Sequence, residues 1–256
     1  MLKKRLIPCL LIKNKRCVKG VNFDNFIDTG HPVNTSRIYD NQGADELILL
    51  DISATNENRE PIFEIIRSAA DQCFMPITAG GGIKSVEDIK KMLLSGADKV
   101  AINTAAFYNP KLIEDGARAF GSQCIIVSID FKKIDGKYIV FTHSGKKSTG
   151  VEVLDWAKKA VKLGAGELLL TSIDREGTRT GYELEIIKKV ADEVDVPVIA
   201  SGGVGNLDHL VQGINEGHAS AVSLASILHF TDQSIIKAKA YMKNAGVDVR
   251  TFKWWK

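Results

Sequence analysis

Two glycine-rich corners, Gly80-Gly81-Gly82 and Ser201-Gly202-Gly203, each follow a short aliphatic run. Glycines at a strand end let backbone N–H groups close on phosphate oxygens, and a hydroxyl or a following helix N-terminus adds donors. Asn103-Thr104 and Ala225-Ser226 end the next aliphatic runs. Gly81, Gly82, Asn103 and Thr104 would then form one phosphate site, and Gly202, Gly203, Ala225 and Ser226 a second. The competing explanation is that these glycines only permit tight turns. A further set is charged: Arg5, Glu46, Lys99 and Glu167 stand at the starts of aliphatic runs. Pointing inward they would form a ring of alternating charge at one end of a closed sheet; pointing outward they would be ordinary exposed ion pairs, worth little. The first run ends in Leu11, which can neither donate nor accept a proton.

Eight near-continuous apolar runs must position these groups: Leu6–Leu11, Leu47–Ile52, Pro76–Ala79, Lys99–Asn103, Cys124–Asp130, Glu167–Thr171, Val196–Ala200 and Ala219–Leu224. Such runs suit parallel strands covered on both faces. Amphipathic segments such as Pro61–Gln72, Val86–Leu94, Val151–Leu163 and Leu184–Glu193 lie between them. Eight βα units predict an α/β fold, a (β/α)8 TIM barrel in one domain over residues 1–256; an open doubly wound sheet is the alternative.

An internal repeat weighs against the open sheet. GADELILLDIS from Gly43 matches GAGELLLTSID from Gly164, and the segment from Pro76 matches that from Pro197; 164 − 43 and 197 − 76 both give 121. The pattern predicts two duplicated (βα)4 halves, about 1–122 and 123–256. Asp135-Gly136 marks a hairpin turn within the insertion Phe131–Phe141, and the basic segment after the first run reads as a loop.

A net charge of +3 gives no sign of nucleic acid or a membrane surface as the main partner. Cys9, Cys17, Cys73 and Cys124 show no ligand spacing and read as reduced thiols of a cytoplasmic protein. The five histidines show no metal spacing, so no metal site is expected. The basic N-terminus precedes too short an apolar run for a signal peptide. Lys146 and Lys147 fit a solvated surface, and Trp254 and Trp255 fit either a partner contact or a covered edge.

With these motifs placed, the chain resembles the cyclase subunit of imidazole glycerol phosphate synthase from Lys4 to about Arg250. VKGVNF (Val18–Phe23), DELILLDI (Asp45–Ile52), GGGI (Gly80–Ile83), GADKVAINTAA (Gly96–Ala106), FGSQ (Phe120–Gln123), SGKKSTG (Ser144–Gly150), GAGELLLTSIDREGT (Gly164–Thr178) and IASGGVG (Ile199–Gly205) carry the resemblance. It implies ammonia from a glutaminase subunit docked at the N-terminal barrel face, entry through a gate of Arg5, Glu46, Lys99 and Glu167, and reaction at the mouth with a bisphosphorylated ligand. It implies no cofactor. Gly177 joins the phosphate corners, and Lys19 would close over substrate from a flexible loop or else be a solvated charge. Two aspartates at the ends of the first and fifth strands would serve as general acid and base; the second is Asp130, but the first position is Leu11.

General acid–base groups contribute about 10²–10⁴-fold, so Leu11 bears directly on activity. Asp51 and Asp174, at neighbouring strand ends, are candidates for partial cover. Further departures cluster on the same face: Phe26-Ile27-Asp28 for the family's Leu-Arg-Asp, Gly30-His31-Pro32 for Gly-Asp-Pro, and Glu176 for aspartate. Three readings follow. The first is an ammonia-channelling subunit, degenerate as a cyclase, that serves a separate sugar amidotransferase making an acetamidino group in surface-polysaccharide synthesis. The second is a working cyclase of histidine biosynthesis, and the third a phosphosugar-binding scaffold without ammonia transfer.

Overall fold

The computed structural model describes residues 3–251; Trp254 and Trp255 lie outside the described residues. Twelve strands form one sheet: β1 (Arg5–Lys13), β2 (Arg16–Val21), β3 (Asp24–Gly30), β4 (Leu47–Asp51), β5 (Ile77–Gly80), β6 (Lys99–Ile102), β7 (Ile125–Ile134), β8 (Lys137–Thr142), β9 (Lys147–Glu152), β10 (Glu167–Ser172), β11 (Val198–Ser201) and β12 (Ala221–Leu224). Eight of them pair in parallel around a closed circuit, β1-β4-β5-β6-β7-β10-β11-β12, with β12 returning to β1. Helices alternate with these strands, so the fold is a (β/α)8 TIM barrel. All eight predicted runs supply one of its strands.

Period-two geometry divides each apolar run between two cores. Leu168 and Leu170 of β10 join the large core between sheet and helices, whereas Leu169 joins Ile7, Ile48, Ile126, Ile199 and Ala221 inside the barrel. Inward residues therefore run Arg5, Ile7, Cys9, Leu11 along β1 and Ile126, Ser128, Asp130 along β7.

The duplication is visible in element bounds. Helices Phe63–Ala70 and Leu184–Ala191 are offset by 184 − 63 = 121, as are β5 and β11 (198 − 77). The helix caps repeat as well: Ser85 Oγ accepts from Asp88 N and Asn206 Oδ1 from His209 N, both at 3.1 Å, with 206 − 85 = 121. The single offset fails after Asn215. β12 follows β6 by 221 − 99 = 122, and helix Ser226–Phe230 follows Thr104–Tyr108 by 226 − 104 = 122. The extra residue falls in the turn before β12, where His218 has φ 54°.

The first loop is not a loop. β1, β2 and β3 form an antiparallel meander joined by two-residue turns, Asn14-Lys15 (φ 51° and 61°) and Asn22-Phe23 (φ 51° and 64°). Asp135-Gly136 (φ 47° and 80°) makes the predicted hairpin between β7 and β8. Each turn places both central residues at positive φ, as the favoured two-residue hairpin requires.

Candidate active site at the barrel mouth

A pocket of about 280 Å³ opens at the C-terminal ends of the barrel strands, with Leu11, Leu50, Asp130 and Glu176 in its wall. Asp130 ends the inward row of β7 and accepts a 2.8 Å hydrogen bond from Asn103 Nδ2. Burial, reinforced by the Glu176 carboxylate and opposed by the Asn103 bond, pushes its pKa up to about 7. Leu11 packs against the inner apolar cluster below it. The mouth thus holds one carboxyl group poised near neutrality, with an aliphatic side chain at the end of β1.

Because folding raises the Asp130 pKa above its unfolded value, ionisation costs stability. That cost is absent below about pH 4 and is fully developed once pH exceeds about 7. Asp130→Asn keeps the shape without the charge. It is expected to stabilise the protein by about 1–3 kcal/mol at pH 8 and to leave it nearly unchanged at pH 4, as thermal melts at the two pH values would read.

Neither neighbouring aspartate is free to stand in for the acid–base group that the resemblance places at the Leu11 position. Asp51 Oδ1 accepts from Ser53 N at 3.0 Å, Ala54 N at 3.1 Å and Arg59 Nη2 at 2.8 Å, and Oδ2 lies 2.7 Å from Arg59 Nη1. Asp174 is exposed and accepts from Lys133 N at 2.9 Å. A proton donor displaced by an ångström or more loses much of its effect, and both carboxylates are held by other work.

The two glycine corners are not equivalent. Gly202, Gly203, Ala225 and Ser226 all line the pocket. Gly202 and Gly203 have φ 89° and 109°, and a Cβ would meet the Ser172 and Gly181 carbonyls at 2.7 and 2.1 Å. Only Gly81 of the first corner lines the pocket. Gly82 packs toward Ala54, Asn103 turns to Asp130, and Thr104 Oγ1 accepts from His143 N at 3.0 Å. Gly177 has φ 77° and lies so close to the Gly20 carbonyl that a Cβ would come within 2.3 Å.

Lys19 corrects the loop expectation. It lies in β2, is 2% exposed, forms an ion pair with Glu176 and donates to Gly20 O at 3.3 Å. Asn22 pins the same turn: its N donates to Glu176 O at 2.8 Å, and its Nδ2 donates to Ile173 O at 3.0 Å and Asp174 O at 2.9 Å. Glu176, legible in sequence only as a lengthened side chain, is the hub that holds Lys19 and perturbs Asp130.

At the opposite end, the four charged residues meet. Arg5 Nη1 donates to Glu46 Oε1 at 2.6 Å and Nη2 pairs with Glu167 Oε1; Lys99 Nζ donates to Glu46 Oε2 at 2.9 Å and Glu167 Oε2 at 3.0 Å. Each carboxylate therefore has one oxygen on each cation. Burial raises Glu46, but Arg5 and Lys99 together outweigh it and hold the carboxyl below its usual range.

No helix among the described residues is long and apolar enough to cross a membrane. The family described as Histidine biosynthesis protein matches residues 5–234. That span takes in the charged ring, all eight barrel strands and the mouth with Asp130 and both glycine corners, and the chain belongs to this histidine biosynthesis protein family.

Proposed function

We propose that the protein is the synthase subunit of a glutamine amidotransferase complex, accepting ammonia from a glutaminase at the N-terminal face and no longer closing an imidazole ring itself. The observation that carries this reading is the contrast between the two ends of the barrel. The ring of Arg5, Glu46, Lys99 and Glu167 has all four ion pairs made, while the mouth pairs Asp130 with Leu11 and leaves Asp51 and Asp174 engaged elsewhere. Ring closure needs a proton given and a proton taken, and leucine can do neither. Ammonia arriving at such a mouth would serve a separate amidotransferase, and the resemblance points to one that makes a sugar acetamidino group. The pocket corner of Gly202, Gly203, Ala225 and Ser226 suits a phosphorylated small molecule. The docked glutaminase and the acceptor enzyme are part of the proposal.

One observation favours a second reading, a working cyclase. A carboxyl group with a pKa near 7 is both an available acid and an available base at neutral pH. Turnover of the bisphosphorylated substrate that the resemblance implies, by the purified protein with ammonium at alkaline pH, separates the two. The expected result is no ring closure above the uncatalysed rate; substantial turnover would overturn the degenerate reading.

A further inference from the structure

The barrel interior changes character between the charged ring and the mouth. Above the ring lies a mainly apolar belt that includes Ile7, Ile48, Ile126, Leu169 and Ile199, with Thr78 of β5 beside Ile48. One step higher on the inward rows, four hydroxyl side chains from four strands line the pocket floor: Ser128 of β7, Thr171 of β10, Ser201 of β11 and Ser223 of β12. All four are buried.

Ser223 stands apart within this group. It is 2% exposed, and its Oγ finds no hydrogen-bond partner among the described residues. Folded proteins rarely leave a buried hydroxyl unpaired, and when one is unpaired within the protein a bound molecule usually supplies the partner. The Cys9 thiol lies alongside and could interact with it, but it falls outside the distance and angle of a well-formed hydrogen bond, and a thiol is too weak a partner to satisfy a buried hydroxyl. Thr29 Oγ1 and Asp51 Oδ2 share the condition, but Thr29 is in the β3 hairpin and Asp51 Oδ2 sits against Arg59. Among the described residues only Ser223 combines a wholly buried, unpartnered hydroxyl with a place inside the barrel, at the point where apolar lining gives way to polar.

We propose that Ser223, with Ser128, Thr171 and Ser201, forms a binding station for one small neutral hydrogen-bonding molecule of the ammonia or water class. A hydroxyl both donates and accepts, so the group can satisfy either molecule. Neutrality follows from the belt beneath, because a cation crossing it would surrender its hydration without a counter-charge. The station's neutrality and its meaning for ammonia rest on the reading of the barrel as an ammonia conduit; its existence as a polar site does not.

High-resolution diffraction and thermal melts of the wild type and Ser223→Ala test it, in ammonium chloride and in sodium chloride at the same alkaline pH. Expected is a density peak within hydrogen-bond reach of Ser223 Oγ that disappears in the variant, a melting temperature lowered in the variant by roughly 2–4 °C, and extra stabilisation of the wild type alone by ammonium. A peak with no ammonium effect keeps the station, assigns it to water and counts against the conduit. No peak, together with a higher melting temperature for Ser223→Ala, overturns the station and leaves the conduit to the turnover experiment.

Discussion

Leu11→Asp is expected to raise ammonia-dependent ring closure from background to at least about 10²-fold above it, the lower end of what a positioned general acid or base contributes. Leu11 is an inward residue of β1 and lines the same pocket as Asp130, so an aspartate there needs no rearrangement of the strand to reach the mouth. A second carboxylate near Asp130, already up at about 7, would push one of the two higher still. The pH–rate profile of the variant should therefore be bell-shaped, with its acid limb set by the newly introduced group and its alkaline limb at or above the Asp130 value. The substitution has a structural cost, because Leu11 packs on the inner apolar cluster; about 1–3 kcal/mol is expected from the lost apolar contact. Steady-state kinetics with ammonium salts and a denaturant melt would read the two effects separately. A folded but inactive variant would mean that Glu176 and the buried Lys19 have reshaped the pocket beyond the loss of one proton-transfer group.

The strands were legible in the sequence because a parallel barrel buries both strand faces, and that same property hid which side chains face inward. ELLLTS reads as a uniform run, yet Glu167, Leu169 and Thr171 of β10 look into the barrel while Leu168 and Leu170 look out. The family resemblance, with the repeat relating Glu46 to Glu167 alone, pointed to Arg5, Glu46, Lys99 and Glu167 as one set; periodicity did not.

What escaped the sequence has identifiable causes. The β2–β3 hairpin turns on Asn22-Phe23, and phenylalanine at φ 64° is not the residue such a turn advertises, whereas Asp135-Gly136 is. Lys19 consequently looked like a loop lysine. The inequivalence of the glycine corners was also hidden, because Asn103 and Thr104 are diverted by Asp130 and His143, partners remote in sequence. The Glu176 hub depends on an ion pair with β2 and a charge interaction with Asp130 of β7 that no local pattern encodes.

Lys99→Met should destabilise the protein by about 2–4 kcal/mol at neutral pH, far more than an exposed ion pair would. Glu46 and Glu167 are only 10% and 5% exposed at their side chains, and among the described residues Lys99 alone supports Oε2 of each. Removing it leaves two shielded carboxylates sharing Arg5. The effect should fade in acid. A carboxyl held below its unfolded pKa contributes stability above about pH 4 and loses it as pH falls through the folded value, so the gap between wild type and variant narrows there. A second change, Glu167→Gln in the Lys99→Met background, removes one uncompensated charge and leaves Arg5 to Glu46. Its cost should fall short of additivity by about 1–3 kcal/mol in a double-mutant cycle. The arrangement also fixes which cation could swing aside. Arg5 holds its carboxylates through two separate nitrogens of a planar fork, whereas Lys99 places both bonds on one ammonium at the end of a flexible stem. A passage that opens by moving one side chain would therefore move Lys99, and equilibrium melts of the three variants across pH would show how tightly it is held.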